Sequence, residues 1–125
     1  MRELTDQFID ALHRLHTEGD AEPMAALYAD DATLTKLGDR HEAHGPDGAR
    51  SFWADYRKVF DQIEATFTHT TSGDSSVALE WTSSGSLANG HPFSYAGVSV
   101  IDGDGSSISG FRTYYDSAIF VGEPA

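Results

Sequence analysis

The chain has 125 residues, 39% of them hydrophobic, which predicts one globular domain spanning residues 1–125. Its 20 acidic and 8 basic residues give a formal net charge of -12, which argues against nucleic acid or an anionic membrane as a partner. The absence of cysteine excludes disulfides, a thiol nucleophile and thiolate metal ligands. No apolar run has the length of a signal peptide or a membrane span, so we expect a cytoplasmic protein.

Helical spacing of apolar residues dominates the first half of the chain. It predicts a helix over about residues 3–17, and a short second helix that begins at Asp20 and carries Tyr28. A brief strand is expected at 33–37. A third helix is predicted over about 45–60, where a Gly-Pro pair precedes apolar residues that recur three and four positions apart.

The second half of the chain alternates between apolar and polar residues, which is typical of strands buried on one face. Val77, Leu79 and Trp81, for example, alternate with their neighbours. An Asn-Gly pair at 89–90 and an Asp-Gly repeat at 102–105 predict tight turns. These signals predict four antiparallel strands in a meander. Helices gathered on one side of such a sheet make an α+β fold.

Three segments carry a family resemblance: ALYADDATL, GPDGARSFW and DGDGSSISGFRTYYD. With the order of the elements, they resemble the nuclear transport factor 2-like superfamily in its SnoaL-like branch, which groups polyketide cyclases with relatives of ketosteroid isomerase. The resemblance implies a cone-shaped, curved antiparallel sheet packed on three N-terminal helices, the cystatin-like roll, around a pocket. Isomerases, epoxide hydrolases, cyclases, dehydratases and non-catalytic scaffolds share this cone, so the fold alone does not decide the function.

The catalytic positions of known family members hold other residues in this chain. By resemblance, the ketosteroid isomerase positions hold Leu12, Lys36 and Gly97, and the limonene-epoxide hydrolase positions hold Glu80, Thr82 and Thr113. The general base of the polyketide cyclases also falls on Thr113. Because a hydroxyl cannot replace a carboxylate base near neutral pH, these mechanisms are disfavoured.

Strand alternation predicts which side chains point into the pocket. Glu80 and Lys36 are the charged residues of that set, and we expect Glu80 to act as general base or acid while Lys36 stabilises a developing enolate. An inert ion pair between them at the pocket rim is the structural alternative. Thr82 and Ser84 are predicted to face inward beside Glu80. The residues expected to bind substrate are Leu34, Trp53, Thr82, Phe93, Tyr95, Phe111, Thr113 and Tyr115.

Two functions fit this pattern. One is a cofactor-independent isomerase, cyclase or dehydratase that acts by proton transfer on a small apolar or aromatic metabolite. The other is a non-catalytic ligand-binding or dimerisation module of the same fold. No cofactor and no metal are expected, because the spacing of His41 and His44 lacks the helix of a zinc-protease motif. Either of these histidines, or Asp116 if the register shifts by one, is an alternative acid or base, whereas His16 is expected in solvent.

The outer face of the sheet predicts a partner. Its expected residues are Trp81, Val98, Val100, Arg112, Tyr114 and Asp116. An exposed apolar patch of this kind usually marks an interface. The resemblance implies pairing of two cones through this face, so we expect a homodimer.

Overall fold

The computed structural model describes residues 1–38 and 42–120. In chain order its elements are α1 (Arg2–Glu18), α2 (Glu22–Ala25), β1 (Tyr28–Lys36), β2 (Ala43–His44), α3 (Gly45–Lys58), β3 (Phe60–Ser72), β4 (Ser76–Leu87), β5 (Pro92–Gly103), β6 (Ile108–Tyr115) and a closing 3-10 turn (Ser117–Phe120). The predicted α+β class, with helices packed on a curved sheet, is confirmed.

One six-stranded sheet runs in the order β2-β1-β6-β5-β4-β3. Strands β3 to β6 each pair antiparallel with the next, so the predicted meander is confirmed. Strand β1 lies parallel to β6 and pairs with β2 on its other side. The last hairpin turns where the Asp-Gly repeat predicted it, and there the Asp104 carboxylate accepts hydrogen bonds from the backbone N–H groups of Ser106 and Ser107.

The helices cover one face of this sheet. Phe8, Leu12 and Leu15 recur at helical spacing on α1 and are buried, and they belong to the same hydrophobic core as Val77 and Phe111 of the sheet. Burial of side chains of this size stabilises the fold by about 1.5–3 kcal/mol each. A second buried cluster consists of Phe60, Ile63, Phe93 and Tyr95.

Two element boundaries differ from the sequence prediction. The second helix ends at Ala25, and Tyr28, expected on that helix, instead begins β1. Tyr28 pairs with Ile108 of β6, and the carbonyl of Leu27 accepts a hydrogen bond from the Ile108 N–H group. Parallel pairing with a strand far along the chain leaves no local signal in the sequence, and neither does the two-residue strand β2.

On strand β4, the side chains that face the helices are the odd-numbered ones, whereas the sequence analysis predicted the even-numbered ones. Val77 and Leu79 are buried in the main core, so Trp81 and Ser83, two and four positions after Leu79, also face the helices. The alternation was visible in the sequence, but the burial of two aliphatic side chains decides which face lies inside. The predicted inward placement is therefore wrong for three exposed residues of the outer face: Glu80, Thr82 and Ser84.

The outer face of the sheet carries exposed Tyr114 beside half-buried Val98 and Val100. Trp81, which was predicted on this face, lies on the inner one against Gly97. A Cβ atom at Gly97 would lie 2.5 Å from the Trp81 ring, so glycine is what lets the ring lie against the strand. Pairing of two copies through the outer face stays a prediction.

Candidate functional site

A cavity of about 990 Å³ lies between the inner face of the sheet and helices α1 and α3. Alternate residues of β3 to β6 form its sheet wall. Residues of α3 at three- and four-residue spacing, such as Phe52 and Tyr56, form the opposite wall. Ligand pockets typically measure about 300–1,000 Å³, so this cavity is large enough for a ligand of several fused rings.

The cavity wall is made largely of aromatic rings. Of 2 Trp, 5 Tyr and 7 Phe in the chain, these line it: Trp53, Trp81, Tyr56, Tyr95, Tyr115, Phe8, Phe52, Phe60, Phe67 and Phe120. Many pack edge to face, with ring centroids 5.2 Å apart for Trp53 and Tyr56 and 5.1 Å apart for Trp81 and Tyr95. The Trp53 indole N–H group also donates a hydrogen bond of 3.1 Å to the hydroxyl of Tyr28, which fixes that ring.

A chain of hydrogen bonds crosses the sheet wall. The Trp81 indole N–H group donates to the Ser99 hydroxyl at 3.0 Å, and the hydroxyl oxygens of Ser99 and Thr113 lie 2.9 Å apart. Thr113 in turn can donate to the carbonyl oxygen of Val98 at 3.4 Å. The register places Ser99 directly opposite Thr113, which is why the two short side chains meet. These polar groups are therefore satisfied by one another.

A second polar pair joins the two helices. The His16 Nε2 atom lies 2.7 Å from the hydroxyl oxygen of Tyr56, a residue of the cavity wall. Burial of His16, and then the nearby Arg57 and His13, lower the pKa of His16 to about 4. Burial likewise raises the pKa of Tyr56 well above its ordinary value. Both partners are therefore neutral at pH 7, and His16 is buried, which corrects the expectation that it lies in solvent.

Charged groups meet the cavity at its exposed edge. Among the lining residues that the structure describes, the charged ones are Lys36, Glu42 and Asp55, and all three are exposed. Exposed apolar side chains stand with them, including Leu37 and Phe120. We call these exposed lining residues the rim.

Residues 5–109 match the family of the SnoaL-like domain. The chain belongs to the SnoaL-like family. A comparison of this chain with curated proteins found no match.

Solved structures share its fold at low sequence identity. An NTF2-like protein from Anabaena variabilis superposes with a TM-score of 0.82 at 18% identity, covering 92% of this chain and 88% of that one. A candidate SnoaL-like polyketide cyclase from Jannaschia gives 0.74 at 14% identity, with 94% of each chain covered. An LEH-like epoxide hydrolase from M. tuberculosis gives 0.70 at 17% identity, covering 91% and 80%.

The cavity of this SnoaL-like domain contains part of the site predicted from the sequence. Lys36 reaches the rim, and four predicted binding residues line the wall: Trp53, Tyr95, Thr113 and Tyr115. Leu34 and Phe111 are buried in the main core and Phe93 in the second cluster, so these three support the wall from behind. Glu80 and Thr82 lie on the outer face, away from the cavity.

The alternative acid and base residues lie elsewhere. Asp116 is exposed, and its carboxylate accepts a hydrogen bond from the Ala118 N–H group at the start of the closing turn. His44 is exposed on β2 and is not part of the cavity wall, whereas His41 falls outside the described residues. The Lys36–Glu80 ion pair is not formed, because the two residues lie on opposite faces of the sheet.

Sequence reasoning missed several cavity residues. Asp55 and Tyr56 follow Phe52 by three and four positions on α3. Helical spacing could therefore have predicted that all three share the face that lines the cavity. Ser83 would have followed from the opposite phase of β4. Ser99 lies four positions after Tyr95 on β5, so the same alternation that placed Phe93 and Tyr95 in the predicted site extends to it.

No metal centre is evident in the described parts of the chain. Within 1–38 and 42–120, no group of three or more histidine and carboxylate side chains could hold a metal ion. No helix in the same ranges is long and apolar enough to cross a bilayer.

The pKa of His16 predicts a pH-dependent part of the stability. Because folding lowers this pKa from 6.5 to about 4, the unfolded chain binds more protons between these values. The stabilisation is complete above pH 6.5 and is lost as the pH falls towards 4, by on the order of 3 kcal/mol. We therefore expect His16→Gln to flatten the pH dependence of the free energy of unfolding in this window, measured by urea titration at several pH values.

His13→Gln is the matched control, because His13 is exposed on the same helix. It should keep most of the pH dependence of the unsubstituted protein, because burial is the largest cause of the lowered pKa of His16 and His13 is the smallest of the three causes. A pH dependence of His16→Gln equal to that of the unsubstituted protein would show that His16 is not buried in its neutral form.

Proposed function

We propose that this SnoaL-like domain binds an aromatic or polycyclic, mostly apolar small molecule in its cavity. The observation that carries the proposal is the concentration of aromatic residues, including both tryptophans, around one space of about 990 Å³. Aromatic rings exposed to a water-filled cavity are unfavourably solvated, and a flat apolar ligand would remove that surface from water. Edge and face contacts with the rings would favour aromatic over aliphatic ligands.

The polar groups of the wall support binding more directly than proton transfer. Ser99 and Thr113 pair with each other and with Trp81, and Tyr56 pairs with His16. General acid–base catalysis needs a titratable group within hydrogen-bond reach of the reacting atom. Among the described lining residues, the carboxylates lie at the rim. Deeper in the cavity, a ligand would meet aromatic rings and hydroxyl groups.

A second candidate is proton-transfer catalysis at the rim, as in a cofactor-independent isomerase, cyclase or dehydratase. Asp55 lies on the stripe of α3 that faces the cavity, and Lys36 stands on the same rim. A carboxylate at this place has access both to solvent and to one end of a bound ligand, and a nearby ammonium group would stabilise a developing enolate. The names of the Jannaschia and M. tuberculosis neighbours, a candidate cyclase and an epoxide hydrolase, are consistent with such chemistry on this fold.

Filling the cavity tests the binding proposal. Ala65 lines the cavity on β3, whereas its neighbour Thr66 is exposed on the opposite face. We expect Ala65→Phe to weaken the binding of 2-naphthol at least about tenfold, because the new ring occupies ligand space, and Thr66→Phe to leave it unchanged. Ligand-observed NMR titration measures both. Equal affinity in the two variants would mean that the probe binds outside the cavity.

Proton exchange tests the catalytic candidate without a known substrate. In deuterated water, 2-tetralone exchanges the protons next to its carbonyl group, and NMR follows the loss of their signals. If Asp55 is the base, the protein should accelerate this exchange and Asp55→Asn should lower the acceleration at least about 100-fold. Asp10→Asn, at an exposed position on α1 outside the cavity, is the control. The same acceleration in Asp55→Asn as in the unsubstituted protein would remove Asp55 from the chemistry.

A further inference from the structure

Ser83 is a polar residue set deep in the sheet wall of the aromatic cavity. It lies on the inner face of β4, two positions after Trp81, and only 4% of its surface is exposed. Its neighbours across the sheet are Ala65 on β3 and Tyr95 on β5. Because Ala65 is small, it leaves the space in front of the Ser83 hydroxyl group open on that side.

The Ser83 hydroxyl differs from the other serine and threonine hydroxyls buried in this wall. Ser99 and Thr113 are hydrogen-bonded to each other, whereas the Ser83 hydroxyl group forms no hydrogen bond with any described residue. In the part of the chain that the structure describes, every side-chain nitrogen or oxygen fully covered by protein has a partner. The Ser83 oxygen is therefore not covered by protein, and it meets the cavity that the residue lines.

The Ser83 hydroxyl group opens onto the cavity without a partner among the described residues, so a molecule inside the cavity has to supply its hydrogen bond. The surrounding lining is aromatic, so a ligand that fills the cavity must either leave this hydroxyl group unpaired or place a polar atom against it. Tyr95 stands directly opposite, and burial, followed by the nearby Tyr115, raises the pKa of Tyr95, so that it remains a neutral phenol. The two hydroxyl groups can both donate and accept hydrogen bonds.

We propose that Ser83 is the hydrogen-bonding anchor of the ligand, and that the ligand is an oxygenated aromatic compound whose hydroxyl or carbonyl oxygen binds at the sheet wall. This inference rests on the proposed binding function and adds the polar half of the ligand to it. The ligand oxygen lies against Ser83 on the sheet, and the rings of the ligand extend across the cavity towards Trp53 and Tyr56 on α3.

A pair of probes that differ in one group tests the anchor. 2-Naphthol and 2-methylnaphthalene have nearly the same shape, but only the first carries an oxygen. In the unsubstituted protein we expect 2-naphthol to bind more tightly. Ser83→Ala should weaken 2-naphthol binding about 5- to 10-fold and leave 2-methylnaphthalene binding unchanged or slightly stronger, as measured by ligand-observed NMR titration.

Two matched variants separate the anchor from a structural role. Ser84→Ala changes the next residue of the same strand, which is exposed on the outer face, and should alter neither affinity nor stability. Ser99→Ala leaves the Trp81 N–H group without its partner, so it should lower the thermal unfolding midpoint. Ser83→Ala should keep the midpoint of the unsubstituted protein, because its hydroxyl group bonds to no described residue.

The outcomes distinguish the two proposals. Suppose that both probes bind the unsubstituted protein and that Ser83→Ala weakens their binding equally or not at all. The proposed role of Ser83 is then wrong, while the proposed binding function stands. A large fall in the unfolding midpoint of Ser83→Ala would also contradict the anchor, since it would show a structural hydrogen bond. If neither probe binds the unsubstituted protein, the binding function fails, and the anchor fails with it.

Discussion

Burial of Val77 and Leu79 in the main core is the constraint on which the cavity depends. Side chains alternate strictly along a strand, so fixing these two inside also fixes Trp81 and Ser83 inside. With the opposite phase, the acidic Glu80 would face the cavity, and the site would resemble a proton-transfer centre. The hydrophobic core thus determines the chemistry of the wall, because the same strand serves both.

Some polar groups of the cavity are paired with each other, and at least one, the Ser83 hydroxyl group, has no partner among the described residues. Ser99 and Thr113 hold the sheet wall together, and His16 holds Tyr56 on the helix side. Such internal pairs offer little to a ligand, because breaking them costs what a new hydrogen bond returns. A hydroxyl group with no partner in the described parts of the chain, such as that of Ser83, can bond to a ligand without breaking a hydrogen bond inside the protein. The proposed selectivity for an oxygenated ligand rests on this difference.

Local patterns predicted most of the fold and about half of the site. Alternation and turn residues predicted the meander of β3 to β6, and the spacing of apolar residues predicted helices α1 and α3. Pairing of β1 with β6 was invisible, since it depends on contacts distant in sequence. The error at Glu80 has a different cause: alternation defines two faces but does not say which is buried. The inward placement of Thr113 and Tyr115 was correct, because they alternate on β6 with Phe111, whose large apolar side chain is buried on the same face.

The most direct test of a ligand-binding aromatic cavity is a crystal structure of the protein with 6-bromo-2-naphthol, in which anomalous scattering locates the bromine. The account predicts one bromine site between the helices and the sheet, with the naphthol oxygen within hydrogen-bond distance of the Ser83 hydroxyl and the rings against Trp53 and Tyr56. A bromine found on the outer sheet face near Tyr114, or a cavity filled by its own side chains, would contradict it.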